Sequence, residues 1–178
     1  MSSHLIASIA AGPFAAACLV LAFAGVAKVR RPAGTTAAAS AIGLPSSPAA
    51  VRGLGVVEIG AAIAGIAVGA WAALVVAALY LGLAVVAARL VRRAPGTNCG
   101  CLGPSDSPVS VAHVVVDGGA VAAAAFAAFG GSPLTAAGNN VWVRIAFIAA
   151  TACCAWLAAQ MLDALPALNR AVRAEGSR

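Results

Sequence analysis

Residues 71–90 read WAALVVAALYLGLAVVAARL, and this stretch decides the fold. It carries no charged residue before Arg89. A second apolar run, over about 53–70, precedes it, and only a tight turn near Gly69-Ala70-Trp71 separates the two. At about 1.5 Å per helical residue, twenty residues cross a hydrocarbon core of about 30 Å. The two runs therefore predict a transmembrane helical hairpin.

The composition extends this interpretation to the whole chain. Of its 178 residues, 62% are hydrophobic and only 9% are charged, which is typical of integral membrane proteins and not of soluble domains. Further apolar runs cover about 5–27, 109–129 and 141–162. We therefore predict an all-α integral membrane protein with a single multi-pass domain. Its core is a bundle of four transmembrane helices, and a fifth helix follows at the C-terminal end.

The first apolar run has an alternative interpretation as a cleaved signal peptide, because Ala22-Phe23-Ala24 resembles a cleavage site. A signal peptide carries positive charge before its apolar run. Here only His4 precedes the run, whereas Lys28 and Arg30 follow it. This order favours a retained transmembrane helix.

The positions of the basic residues predict the orientation, because short cytoplasmic loops carry an excess of Lys and Arg. Nearly all of these residues fall on one side of the predicted spans, and only Arg144 falls on the other. The N-terminus is thus expected outside and the C-terminus inside the plasma membrane. The topology accounts for the net charge of +6, so no nucleic-acid partner is expected. The one-sided residues are Lys28, Arg30, Arg31, Arg52, Arg89, Arg92, Arg93, Arg170, Arg173 and Arg178.

The loop over 94–108 carries the main candidate chemistry, the triplet Cys99-Gly100-Cys101. Two thiols one residue apart can form a strained disulfide that exchanges readily. Alternatively, the same two thiolates can bind a soft metal such as Cu(I) or Zn(II). Cys99 and Cys101 are therefore the candidate exchanging pair, or the candidate ligands of such a metal.

The residues after the triplet predict the start of the next helix. Asp106 or Ser107 would cap its free amides, and Pro108 would occupy the first helical position. A helix N-terminus just after the cysteines, with Arg92 and Arg93 before them, would favour the thiolate form.

Five ionisable residues are expected to form a polar cluster beneath this loop: Lys28, Glu58, Arg89, His113 and Asp117. Ionisable groups inside spans are costly and usually face a partner or a cavity, so the cluster could move protons during thiol chemistry. A structural alternative is that Glu58 pairs with a basic residue and joins two helices. His113 is either a base or ligand near the thiols, or a hydrogen-bonding residue at the membrane interface.

Two further features lie outside this cluster. A short interfacial helix is expected over about 35–42, ended by Gly43. Cys18 and the adjacent Cys153 and Cys154 fall near the middle of spans, where small apolar packing is the expected role. No relay to the loop cysteines is expected, because the loop would have to dip by roughly 15 Å, half a bilayer.

Three sequence features together resemble those of the MauE-type methylamine-utilisation membrane proteins, which belong to the wider DoxX-like group. They are LAFAGVAK over 21–28, Glu58 in the second span, and NCGCLG over 98–103. Leu102 stands where the family often has Phe. His113 and Asp117 lie where the family helix usually begins with an Arg-Asn pair. The resemblance covers roughly the first four spans.

This resemblance implies a membrane protein that helps a disulfide-rich client to mature, as MauE is thought to do for the small subunit of methylamine dehydrogenase. It thus implies thiol-disulfide redox chemistry at Cys99 and Cys101, with a disulfide-rich client or a thioredoxin-like partner. The plan also resembles quinone-coupled disulfide enzymes, although their Cys-X-X-Cys at a helix start is absent here, so a quinone is an unsupported option. Disulfides of exported proteins form outside the cytoplasm, whereas the distribution of basic residues places the cysteine loop inside it. The implied client and the predicted orientation therefore conflict.

The sequence alone leaves two other functional classes open. One is a non-enzymatic membrane chaperone or soft-metal binding protein that uses the same two thiolates. The other is a small-solute transporter that uses Glu58 and Asp117, but the chain lacks the internal repeat and broken helices typical of transporters. Thiol-disulfide exchange is the leading interpretation of the sequence.

Overall fold

The computed structural model describes residues 2–98, 100, 108–130, 132–133 and 140–175. Within these residues the chain folds into helices and forms no strand. We label the helices α1 to α6 in chain order. They are α1 Ser2–Arg30, α2 Ala33–Ala41, α3 Pro48–Val68, α4 Trp71–Arg93, α5 Val111–Ala127 and α6 Val141–Glu175.

The lengths and compositions of these helices are those of a multi-pass membrane protein. Among the described residues, four segments are long and apolar enough to cross a bilayer: Ala11–Arg30, Pro48–Val68, Trp71–Arg93 and Val141–Ala158. Helix α5, which corresponds to the run over 109–129, is a shorter apolar helix of 17 residues. The predicted all-α membrane fold is confirmed.

The buried core draws on α1, α3, α4 and α5. It packs aromatic and branched side chains against alanines, and the Tyr80 hydroxyl donates a hydrogen bond to the Ala17 carbonyl oxygen at 2.7 Å. Helix α6 lies at the periphery, and its Trp142 and Trp156 are 74% and 65% exposed. Four helices therefore form the core, and the C-terminal helix packs on their outside. The core residues are Phe14, Ala17, Cys18, Leu21, Ala61, Ala62, Ala73, Val76, Tyr80, Ala120, Ala124 and Ala127.

The helix ends follow from local sequence. Ser47 caps α3 by accepting a hydrogen bond from the Ala50 amide at 3.1 Å, and Pro48 occupies the first turn. Helix α3 ends at Val68 and α4 begins at Trp71, so the predicted hairpin turn is present. Both turn residues have positive φ, 67° at Gly69 and 43° at Ala70, which is how the chain reverses in so few residues.

Two expectations about local structure are wrong. Helix α5 does not begin at Pro108, because Pro108 forms a β-bridge with Asn98 and the cap is Ser110. The candidate caps Asp106 and Ser107 lie outside the described residues. Cys153 and Cys154 are exposed on α6 instead of packed in the core, since the peripheral α6 leaves that part of its surface uncovered. Cys18 is buried in the core as expected.

Candidate functional site

Lys28 and Glu58 form a buried ion pair between α1 and α3. The Lys28 Nζ lies 2.9 Å from Oε1 and 2.8 Å from Oε2 of Glu58, so both carboxylate oxygens accept from the ammonium. Both residues have 0% exposure. A charge buried at membrane depth is costly without a partner, and each of these residues supplies the partner of the other. The pairing is the helix-joining alternative that the sequence left open for Glu58.

Two glycines make room for this ion pair. Gly25 precedes Lys28 by three residues on α1, and Gly55 precedes Glu58 by three residues on α3. A methyl group built on Gly25 would lie 3.2 Å from the Glu58 Cβ, and one built on Gly55 would lie 3.1 Å from the Lys28 Cβ. The Cβ atom of each charged residue therefore lies against the glycine of the opposite helix. The close approach of α1 and α3 depends on both glycines.

The cysteine loop is closed at its base. Asn98 and Pro108 form an antiparallel bridge, and the Val109 amide donates to the Thr97 carbonyl oxygen at 3.0 Å. The two chain segments on either side of the loop are thereby held together at the end of α4. The loop leaves and re-enters the helical bundle at one point.

Gly100, the middle residue of the cysteine triplet, packs against the first turn of α2. Gly100 has φ of 62°, and its carbonyl oxygen accepts a hydrogen bond from the Thr35 Oγ1 at 3.2 Å. A methyl group on Gly100 would lie 2.5 Å from the Gly34 carbonyl carbon and 2.7 Å from the Thr35 amide nitrogen. Only glycine fits both this conformation and this contact. Cys99 and Cys101 themselves lie outside the described residues.

Helix α2 is itself anchored to the same end of the bundle. A small apolar cluster joins Ala38 and Ile42 of α2 to Ala87 and Leu90 of α4 and to Val109. Val109 also closes the base of the cysteine loop. Helix α2 therefore contacts the loop region twice, at Gly100 and at Val109.

The remaining members of the predicted polar cluster have separate positions. Asp117 is half-buried on α5, within electrostatic range of Lys28 and Tyr80. His113 is half-buried in the first turn of α5, where its Nδ1 accepts a hydrogen bond from the Ser110 amide at 3.3 Å. Arg89 is exposed near the end of α4. The structure thus brings Lys28 and Glu58 together, leaves Asp117 within electrostatic range of Lys28, gives His113 a helix-capping contact, and places Arg89 on the surface.

A cleft of about 150 Å³ lies at the surface between α1, α5 and α6. Its lining is alanine-rich and apolar apart from Tyr80, whose hydroxyl already donates to the Ala17 carbonyl oxygen. The walls of the cleft are thus apolar, and the one hydroxyl among its lining residues is used as a donor within the core.

Sequence reasoning did not identify four residues that shape this site: Gly25, Gly34, Thr35 and Gly55. Gly25 lies in the string LAFAGVAK that carries the family resemblance and Thr35 in the predicted interfacial helix, but no contact was predicted for either residue. One signal could have found two of them, because Gly25-x-x-Lys28 and Gly55-x-x-Glu58 place a glycine three residues before each partner of the ion pair. No comparable pattern marks Gly34 and Thr35.

The chain was compared with curated proteins, solved structures and protein-family models, and one family model matches. Neither the curated proteins nor the solved structures contain a match to this chain. The family model described as methylamine utilisation protein MauE matches residues 6–158. This match covers α1 to α5 and the first half of α6, and includes the cysteine loop and the buried ion pair. The chain is therefore a multi-pass membrane protein of the MauE family, related to methylamine utilisation.

Proposed function

We propose that this chain is a membrane thiol-disulfide redox protein in which Cys99 and Cys101 form the exchanging pair. One observation carries the proposal: the residue between the two cysteines, Gly100, is fixed by its backbone against α2. This contact limits the backbone freedom of the residue that joins the two thiols. Membership of the MauE family supports the same proposal.

The proposed reaction is an exchange of one disulfide for another. A thiolate of the reduced pair attacks a disulfide of the client, forms a mixed disulfide and expels one client thiolate. The second cysteine then attacks its neighbour's sulfur and releases the other client thiolate. Two electrons pass from the pair to the client, whose two sulfurs take up protons, and a Cys99–Cys101 disulfide remains. The reverse sequence oxidises the client.

We place the loop on the cytoplasmic side of the plasma membrane, with the N-terminus outside and the C-terminus inside. Exposed arginines gather at the bundle end that bears α2, and these are Arg30, Arg31, Arg52, Arg92 and Arg93. An excess of positive charge favours the cytoplasm. In this orientation the partner is a thioredoxin-like protein or a disulfide-rich client that is reached from the cytoplasm.

The redox couple is tested by alkylating thiols with a mass-adding maleimide, in membranes treated or not treated with a reductant. We expect reduction to expose two additional thiols, and Cys99→Ser or Cys101→Ser to abolish this change. Cys153→Ser and Cys154→Ser are the controls, because both residues lie on α6 and outside the cysteine loop, and neither should alter the change. Two loop thiols that stay free under an oxidising glutathione buffer would refute the proposal.

The orientation is tested with a membrane-impermeant maleimide on intact cells. We expect Cys99 and Cys101, held reduced, to react only after the cells are permeabilised, because the membrane shields a cytoplasmic loop. Phe129→Cys serves as the control from the other end of the bundle, since Phe129 follows α5 and is 93% exposed. That variant should be labelled in intact cells. Labelling of the loop thiols before permeabilisation would instead place the loop, and its client, outside.

A further inference from the structure

Helix α4 carries three arginines on the outward face of its last turn. Arg89, Arg92 and Arg93 are all exposed, and their spacing of three and four residues places them side by side on the helix surface. Helix α4 contains no Asp or Glu, and no ion pair among the described residues includes these arginines. Three positive charges therefore lie close together on this face, and no carboxylate of the described residues balances them.

The same face of α4 is apolar along the rest of its length. Trp71, at the start of the helix, lies 18 residues before Arg89, which is about 27 Å at 1.5 Å per residue. This length is close to the hydrocarbon thickness of about 30 Å. The arginines therefore lie at the level of the lipid headgroups on one bilayer surface, and Trp71 lies at the other. The exposed apolar residues at helical spacing on this face are Trp71, Leu74, Ala78, Leu81 and Val85.

Gly82 leaves a gap in this apolar face. It is exposed, and a methyl group built on it would meet no atom within 4 Å. The larger side chains of Leu81 and Val85 are exposed beside it. Gly82 lies seven residues before Arg89, about 10 Å along the helix axis, which is within one leaflet of about 15 Å. An acyl chain whose headgroup lies at the arginines therefore reaches the gap at Gly82.

From this arrangement we infer that the outward face of α4 binds an anionic phospholipid, with its phosphate on the three arginines and an acyl chain against Val85 in the gap at Gly82. Charge complementarity identifies the ligand. A guanidinium group binds a phosphate through two parallel hydrogen bonds. A zwitterionic lipid brings its own cation to the site, whereas an anionic lipid brings the negative charge that this face lacks. The site is independent of the proposed thiol chemistry.

The test measures which phospholipid the full-length protein retains, by native mass spectrometry from detergent micelles. The protein is incubated with equimolar phosphatidylglycerol and phosphatidylcholine that carry identical acyl chains, and we expect it to retain phosphatidylglycerol preferentially. Arg93→Gln should lower the affinity for phosphatidylglycerol about fivefold, because one basic residue at the headgroup level is lost. Arg89→Gln/Arg92→Gln/Arg93→Gln should abolish the preference. Arg30→Gln/Arg31→Gln/Arg52→Gln is the matched control, since it removes three exposed arginines from the same end of the bundle but from outside α4, and it should keep the preference.

A pair of glycine variants tests the acyl-chain contact separately. Gly82→Leu fills the gap and should lower the retention of phosphatidylglycerol, because the acyl chain loses its place beside Val85. Gly60→Leu is the control, since Gly60 is also exposed in the middle of a helix, α3, and also has no atom within 4 Å of an added methyl group. It should leave lipid retention at the parental value. Unfolding by SDS, followed by circular dichroism, verifies that each variant is folded.

Three results would overturn the lipid site. One is a parental protein that retains the two phospholipids equally. A second is an equal loss of preference in the two triple arginine variants, because only the net charge of that bundle end would then matter. The third is displacement of phosphatidylglycerol by the same concentration of glycerol 3-phosphate, which would show that the arginines bind a soluble phosphate and not a lipid. Equal retention by Gly82→Leu and Gly60→Leu would overturn the acyl-chain contact.

Discussion

Replacing Lys28 by methionine is expected to lower the free energy of unfolding by about 3 to 5 kcal/mol. The substitution keeps most of the side-chain volume but removes the ammonium that both carboxylate oxygens of Glu58 accept from. Glu58 has no exposure to solvent, so its charge would stay buried without a partner or would have to be neutralised. The measurement is unfolding by SDS in mixed micelles, followed by circular dichroism.

The double variant Lys28→Met/Glu58→Met separates the ion pair from general packing. Replacing both partners of a buried pair by apolar residues often costs little, so the double variant should be more stable than Lys28→Met alone by about 2 kcal/mol or more. Arg52→Met is the matched control, because Arg52 lies on α3 but is exposed. It should change the stability by less than about 0.5 kcal/mol. A Lys28→Met protein as stable as the parent would contradict the buried ion pair.

Gly25→Ala is expected to destabilise the protein by about 3 kcal/mol, at the upper end of the usual cost of overpacking. The added methyl group would lie 2.6 Å from the Gly55 carbonyl oxygen and 2.8 Å from the Ile59 Cγ1. A side-chain rotation cannot relieve the first contact, because it is made with the backbone of α3. The two helices must separate, and their separation also lengthens the Lys28–Glu58 contact. The same SDS titration measures the loss.

Gly60→Ala is the control for this second prediction. Gly60 also lies on α3, but a methyl group there meets no atom within 4 Å. Because alanine has the higher helix propensity, this variant should be unchanged or more stable by up to about 1 kcal/mol. Equal effects of Gly25→Ala and Gly60→Ala would show that helix propensity, and not the close approach of α1 and α3, governs both positions.

These two predictions show how differently sequence and structure inform the site. Glu58 and Lys28 stood out in the sequence because charged residues are rare in apolar spans, and pairing with a basic residue was one of two interpretations. The sequence did not mark Gly25 and Gly55 as a packing contact, since the chain contains 19 glycines and many lie in apolar runs. Glycine frequency indicates close helix packing in general. It does not identify which glycines make the contact.

The helix-start prediction failed for a related reason. Asp106, Ser107 and Pro108 have the residue types of a helix start, but Pro108 pairs with Asn98 and Ser110 caps α5 instead. A capping pattern reports only local preference. The bridge depends on how the segment after α4 meets the segment before α5, and this tertiary contact overrides the local preference.

The sequence by itself determined the class of the protein, its apolar helices and its candidate cysteine pair. Hydrophobic length and composition are sufficient for the first two, because a bilayer imposes one thickness on every span. Only the tertiary structure decided that Lys28 pairs with Glu58 and that Gly25 and Gly55 let α1 and α3 approach each other closely. It also decided that Gly100 packs against α2. These contacts join residues 30 to 66 positions apart. Hydrophobic patterning within one helix does not encode which residue of another helix will face it.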